Sequence, residues 1–239
     1  MSQAQTYKAK VAEHILINEK FQYIDMELLK PHRIEFKAGQ YVSIDIGGSE
    51  RRSYSIASKP SEYHEVEICV DVSPGGKGSD FLKNLKPGDE VDLMGPLGQF
   101  VLKPFDEAQG KEKKLLMVAT GSGIAPLRSI IREQLEEKKE EREIKLFWGL
   151  RFVEDMFWEE DFRRMHKYFN NFEFRFVLSK PPNFWPLNSG HVTQEVETLE
   201  LGSDWGVYLC GSQAMVKEVS ELVISKGVPK DQVHFEKFF

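Results

Sequence analysis

Seven consecutive residues carry the plainest chemical signal in the chain: Thr120-Gly121-Ser122-Gly123-Ile124-Ala125-Pro126. They follow a short apolar run at 115–119 and lead into a helical pattern that starts near Pro126. Glycines permit a tight turn and close backbone approach, and a helix that begins there offers unpaired N–H groups with a partial positive charge. That combination suits phosphate. Gly-x-Gly alone also serves any tight turn. Pro126 stands where Gly-x-Gly-x-x-Gly has its third glycine, so this is not the ordinary dehydrogenase fingerprint.

A second set of chemically able residues lies in the first half. Arg52-Ser53-Tyr54-Ser55 ends a strand pattern. An arginine can clamp a pyrophosphate with two hydrogen bonds, a tyrosine can lie against an aromatic ring, and a serine hydroxyl can bond a ring nitrogen. Further on, Gly75-Gly76-Lys77-Gly78-Ser79 precedes the one helix of this half and makes a second phosphate cradle by the same physics. Either could be a structural turn. Together with the glycine turn after residue 119, they imply two phosphate-bearing ligands or one long ligand that spans both halves.

The elements that must position these residues come in two grammars. Over the first hundred residues, short alternating runs at 8–12, 21–28, 41–46, 66–72 and 90–94 are separated by turn signals such as Lys86-Pro87-Gly88-Asp89. One helix intrudes at 79–85, with Ser79 as its N-cap. Many short antiparallel strands with one helix imply a small closed barrel. The polar stretch 104–114 reads as a joint. Beyond it, buried strands at 115–119, 144–148, 173–178 and 207–210 alternate with helices at 126–141, 157–168 and 214–225, the pattern of a doubly wound parallel sheet. The expected division is therefore a barrel domain over 1–108 and an α/β domain over 109–239. The charged run 133–142 reads as a solvated helix face with opposite charges three apart.

Composition limits the rest. The net charge of −6 over 239 residues argues against a general nucleic-acid footprint. No apolar run approaches the roughly 20 residues that cross a bilayer, and MSQAQTYKAK lacks the apolar core of a signal peptide, so the expectation is a cytoplasmic protein without membrane insertion. Cys69 and Cys210 cannot supply the four thiolates of an iron–sulfur cluster. Six histidines show no metal-ligand spacing, so no metal is expected.

With these residues in place, the chain resembles the plant-type ferredoxin–NADP reductase superfamily over nearly its whole length. Arg52, Tyr54 and Ser55 stand as the flavin motif Arg-x-Tyr-Ser/Thr. The resemblance implies that Arg52 holds the FAD pyrophosphate, that Tyr54 packs on the isoalloxazine, and that Ser55 sits near flavin N5, with Ser53 between them. Ile68-Cys69-Val70-Asp71 is similar to the segment whose backbone flanks the flavin. Gly76, Lys77, Gly78 and Ser79 match the pyrophosphate turn, and Gly95-Pro96-Leu97-Gly98-Gln99-Phe100 the motif that closes the flavin domain. In the second domain Thr120, Gly121, Gly123 and Pro126 match the residues that meet NADP or NAD, and Trp148-Gly149-Leu150-Arg151 the Gly-x-Arg loop. Cys210 and Gly211 match the Cys-Gly beside the nicotinamide, and Glu236 precedes the terminal Phe238 and Phe239, one of which would shield the flavin.

The implied activity is hydride transfer between NAD(P)H and FAD, with the flavin in a cleft between the domains and Ser55, Cys210 and Glu236 lining the reaction. Cys210 need not be a nucleophile, since hydride transfer needs no covalent step on the protein. Lys180, as a point charge in a proline-rich loop, would suit a 2′-phosphate and tilts the choice toward NADP. With no cluster of its own, the chain is expected to pass electrons to or from a separate carrier such as a ferredoxin or flavodoxin. Two alternatives stay open: a reductase of free flavin or of an oxygenase component, and an electron-transfer subunit of a larger enzyme.

Overall fold

The computed structural model describes residues 4–104 and 111–237, the last by its backbone alone. Among the described residues no helix is long and apolar enough to cross a membrane. The chain divides into two units, Met1–Leu102 with Ala125–Glu137, and Lys103–Ile124 with Lys138–Phe239.

Alternation builds the first unit. In β1 (Gln5–Leu16), Tyr7, Ala9 and Val11 are buried between exposed or half-buried neighbours, as a half-covered strand requires. Asn18 Oδ1 accepts from the amides of Lys20 and Phe21 at 2.8 and 2.7 Å, which turns the chain into β2 (Phe21–Lys30). With β3 (Tyr41–Asp45), β4 (Arg51–Ser55), β5 (Glu65–Asp71) and β6 (Glu90–Leu97) these form an antiparallel sheet in the order β4-β3-β6-β1-β2-β5. A bridge between Ile56 and Ile68 brings the two edges together, which makes the sheet a near-closed barrel. Its core includes Tyr7, Ile24, Met26, Ile44 and Ile68. Arg52-Ser53-Tyr54-Ser55 is thus a strand in its own right.

Helix α1 (Lys77–Asn84) begins two residues earlier than the expected Ser79 cap. Gly76 is the N-cap, at a φ of 84° that glycine adopts without strain, so the helix starts on backbone freedom and Ser79 lies inside its first turn. Helix α2 (Ile124–Arg132) continues as a π-helical turn, Glu133–Glu137, and ends there; the expected extension to 141 is absent. The solvated-face reading of 133–142 also fails in part. Gln134, Leu135 and Arg142 are buried, and Glu136 bonds Lys59 at 2.8 Å instead of pairing with Lys139. Within the first unit α2 is held by ion pairs: Arg128 to Glu67 at 2.5 Å and to the Ala57 carbonyl at 3.0 Å, and Arg132 in a two-bond clamp on Glu62.

The second unit is a five-stranded parallel sheet. Its strands are β7 (Lys114–Thr120), β8 (Glu143–Leu150), β9 (Phe172–Leu178), β10 (Trp205–Gly211) and β11 (Val233–Lys237), in the order β11-β10-β7-β8-β9. Helices α3 (Glu159–Tyr168), α4 (Val192–Glu197) and α5 (Gln213–Ser225) connect them. Every residue of β10 is buried, as a central parallel strand covered on both faces should be. Strand β11 has no counterpart among the expected strands. It pairs in parallel with β10, and His234 and Tyr208 both bond the buried Glu112, at 2.9 and 2.8 Å. The strand order reverses between β7 and β10, so the carboxyl ends of those two strands form the switch point where such sheets bind ligands.

Candidate functional site

Two cradles stand out, one in each unit. In the first unit β4 and the start of α1 converge. A Cβ added at Gly78 would meet Arg52 Cγ at 3.0 Å and the Tyr54 hydroxyl at 3.1 Å, so the helix start lies directly against the Arg52-Tyr54 pair. The structure thus brings together the two sets of residues that the sequence offered separately. Gly75 and Gly76 face open space, at φ 70° and 84°. Arg52 and Lys77 are exposed, and both reach one carboxylate: Arg52 Nη2 donates to Glu50 at 3.1 Å, and Lys77 Nζ pairs with the other oxygen. Lys77, then Arg52, hold the Glu50 carboxyl below its usual range. Glu50 escaped the sequence reading because nothing local marks one acid beside Arg51 as the countercharge of a distant lysine.

These residues fit a bound dinucleotide such as FAD. The fit rests on exposed cations and a helix start with open space at Gly75 and Gly76; an open depression of about 720 Å³ lies beside it, lined by Gly47, Gly48, Lys77 and Phe81 and also by the acids Asp80 and Asp89. Tyr54 is half-buried, and burial pushes its hydroxyl up to about 12, so it stays protonated and presents a neutral ring and donor. Ser53 is exposed and Ser55 is 5% exposed at the end of β4. Cys69 and Val70 are buried on β5, and burial raises the Cys69 thiol, which agrees with a packing role.

In the second unit the turn Gly121–Gly123 lies at the carboxyl end of β7. It is packed from both sides. A Cβ at Gly123 would stand 2.3 Å from the Cys210 carbonyl oxygen, and one at Gly211 would stand 2.2 Å from Thr120 Oγ1. That hydroxyl accepts the Ser212 amide at 2.9 Å. On the other side Trp148 Nε1 donates to the Gly121 carbonyl at 2.9 Å. Pro126 sits in the first turn of α2, where a missing N–H costs no helix bond.

Cys210 and Glu236 are register partners on β10 and β11. Cys210 is fully buried; burial first and the Glu236 charge second push its thiol well up, so it stays a neutral thiol lining the strand end. Arg151 and Lys180 are exposed at the ends of β8 and β9, joined by the Lys180 amide and the Arg151 carbonyl at 2.8 Å. Ser55 belongs to the first unit, and Cys210 and Glu236 to the second. Phe238 and Phe239 lie outside the described residues.

Two family models match the chain. An oxidoreductase FAD-binding domain matches residues 8–102, and an oxidoreductase NAD-binding domain matches residues 117–221. The chain is also 30% identical over 249 residues to ferredoxin–NADP reductase B of Sorangium cellulosum, with all of both chains covered. The chain belongs to the FAD/NAD(P)-binding ferredoxin reductase-like superfamily. It is 33% identical over 220 residues, 88% of its length, to the reductase component of propane 2-monooxygenase from Rhodococcus jostii, and spans 57% of that protein. Among solved structures it is similar to an Amycolatopsis cytochrome P450 reductase, at a TM-score of 0.90 and 31% identity, over 100% of this chain and 71% of the other. The barrel followed by a doubly wound sheet is the superfamily's fold, and FAD and NAD(P) are the cofactor classes of its two domains.

Proposed function

We propose that this member of the superfamily is an NAD(P)H-dependent flavoprotein reductase that passes electrons to a separate protein carrier. The observation that carries the reading is the pair of cradles, one charged and open beside Tyr54 and one neutral and packed beside Cys210. A bound FAD would supply the redox chemistry that joins a two-electron nicotinamide donor to a one-electron acceptor. The chain's own residues bind and orient. Arg52, Lys77 and the α1 amides hold the flavin's diphosphate, while Ser53, Tyr54, Ser55 and the backbone of Cys69 and Val70 flank its ring and ribityl portions. The Thr120–Gly123 turn and Gly211 hold the second dinucleotide. Cys210 and Glu236 line its reactive end, and the buried thiol keeps water from that strand end.

The FAD-binding part is assigned to residues 1–108 and the NAD(P)-binding part to 109–239. Two exposed cations at adjacent strand ends, Arg151 and Lys180, favour a 2′-phosphate and hence NADPH. A ferredoxin or flavodoxin is the proposed acceptor. The relatives named as reductase components of oxygenases favour a second reading, in which the acceptor is an oxygenase component. Two free cysteines without a disulfide suit a cytoplasmic setting. Anaerobic titration of the FAD-loaded protein with NADPH and then NADH is the test. Bleaching of the yellow flavin by NADPH at lower concentration is expected; a colourless protein that takes up no FAD refutes the reading.

A further inference from the structure

The geometry points to Trp148 as a positioning residue that aims the Ser122 amide at the diphosphate of the second dinucleotide. This rests on the nucleotide-binding reading of the Gly121–Gly123 turn. The Gly121 carbonyl accepts two hydrogens: the Ile124 amide, which closes the 3-10 turn, and the Trp148 indole N–H at 2.9 Å. A carbonyl and the next amide share one rigid trans plane and point in opposite directions. Only Lys30–Pro31 and Gly95–Pro96 are cis among the described residues, so the Gly121–Ser122 bond obeys this rule. Holding the Gly121 oxygen toward Trp148 therefore fixes the Ser122 N–H on the opposite side of that plane, free to donate to an anion at the start of the helix.

The indole is itself immobile. Trp148 is 1% exposed, and Phe157, Phe176 and Phe162 pack on it with ring centroids at 4.7, 5.2 and 5.9 Å. Its backbone is pinned opposite Ala119 on β7, two residues before Gly121. Tryptophan is the one large apolar side chain that fills such a pocket and still donates an N–H from its ring. Phenylalanine would satisfy the packing and leave the Gly121 carbonyl held by the Ile124 amide without the indole's bond, so the peptide plane is less firmly fixed against rocking. Anion recognition by backbone amides tolerates only about half an ångström of such motion.

The test uses the full FAD-loaded chain. Trp148→Phe, and site-specific replacement of Trp148 by 3-benzothienylalanine, which keeps the indole's size but has sulfur for N–H, are titrated with ADP-ribose and with adenosine. The expected result is a Kd for ADP-ribose raised about tenfold, the worth of one buried hydrogen bond. The KM for NAD(P)H should rise by a similar factor, with kcat within about twofold. Adenosine, which has no diphosphate, should bind as before, and the flavin spectrum should not change. An unchanged ADP-ribose affinity in the benzothienyl protein overturns the proposal, as does an equal loss for adenosine, which would mean general disorder. If the wild-type chain itself binds no ADP-ribose, the nucleotide reading falls along with it.

Discussion

The two glycine cradles solve one problem by opposite means. At Gly75 and Gly76 the glycines face open space, and the positive field comes from the long exposed side chains of Arg52 and Lys77, held in waiting by Glu50. At Gly121–Gly123 the glycines are wedged against neighbouring backbone, and the donors are amides fixed by Trp148, Thr120 and Gly211. A charged cradle of long exposed side chains suits a cofactor that stays, because those side chains need be ordered over the anion only once. A neutral, rigid cradle suits a ligand that must enter and leave every turnover, because little has to be reordered each time.

The largest expected effect breaks the rigid cradle. In Gly123→Ala the new methyl would lie 2.3 Å from the Cys210 oxygen and 2.8 Å from Gly211 Cα, both backbone, so β7 and β10 must part. We expect NAD(P)H binding to fall at least about 100-fold and stability by about 2–3 kcal/mol, within the range for overpacked sites. The matched change Gly76→Ala meets no atom within 4 Å and costs only the strain of φ 84° with ψ 179°, about 1–3 kcal/mol, with FAD retained. Equal losses from the two substitutions, in calorimetry and nucleotide titration, would abolish the distinction. Next in size, Arg52→Ala removes the charged cradle's main donor. FAD affinity should drop roughly 10- to 100-fold, and the remaining affinity should depend less steeply on salt.

What the sequence made legible follows from how local each cause is. The barrel strands were readable because burial alternates along them, as Tyr7, Ala9 and Val11 show. The parallel strands were readable because both faces are covered. The start of α1 was misplaced because a glycine at φ 84° begins the helix without any capping side chain. The end of α2 was misplaced because Lys59 and Ser61 on a distant loop hold Glu136 and Glu137, and no window of sequence contains that contact. The site divides along the same line. The glycine motifs and Arg52-Ser53-Tyr54-Ser55 were visible as runs, while Glu50 and the Trp148 indole act across 27 residues each and only the fold reveals them.

The contrast in charge extends to pH. In the barrel, the carboxylates of Glu62, Glu65 and Glu67 converge, with Arg128 and Arg132 as cations, and Asp25 lies beside them. Burial, then the charges of Glu65 and Glu67, with a smaller push from Glu13, raises Asp25 to about 7. Its Oδ1 is buried without a partner. A carboxyl raised in the folded state binds a proton that the unfolded chain has already lost, so stability falls as pH climbs from about 4 to about 7. Asp25→Asn imitates the protonated form. It should melt roughly 5 °C higher than wild type at pH 8 and within a degree or so of it at pH 4. A constant gap at both pH values would show that Asp25 is ionised throughout.

The smallest change tests whether the open cradle is held in waiting. Glu50 accepts from both Arg52 and Lys77, so any phosphate that binds there must first displace a carboxylate. The pair is solvent-exposed, and such ion pairs are weak. Glu50→Gln removes the competing charge and leaves a side chain of the same size. FAD affinity should therefore rise about two- to fivefold at low salt, and the gain should fade as added salt screens the carboxylate in the wild-type protein. NAD(P)H affinity, assigned to residues of the other unit, should not move. A weaker hold on FAD would reverse the role: Glu50 would then be orienting Arg52 for the ligand, and the charged cradle would be as preorganised as the neutral one.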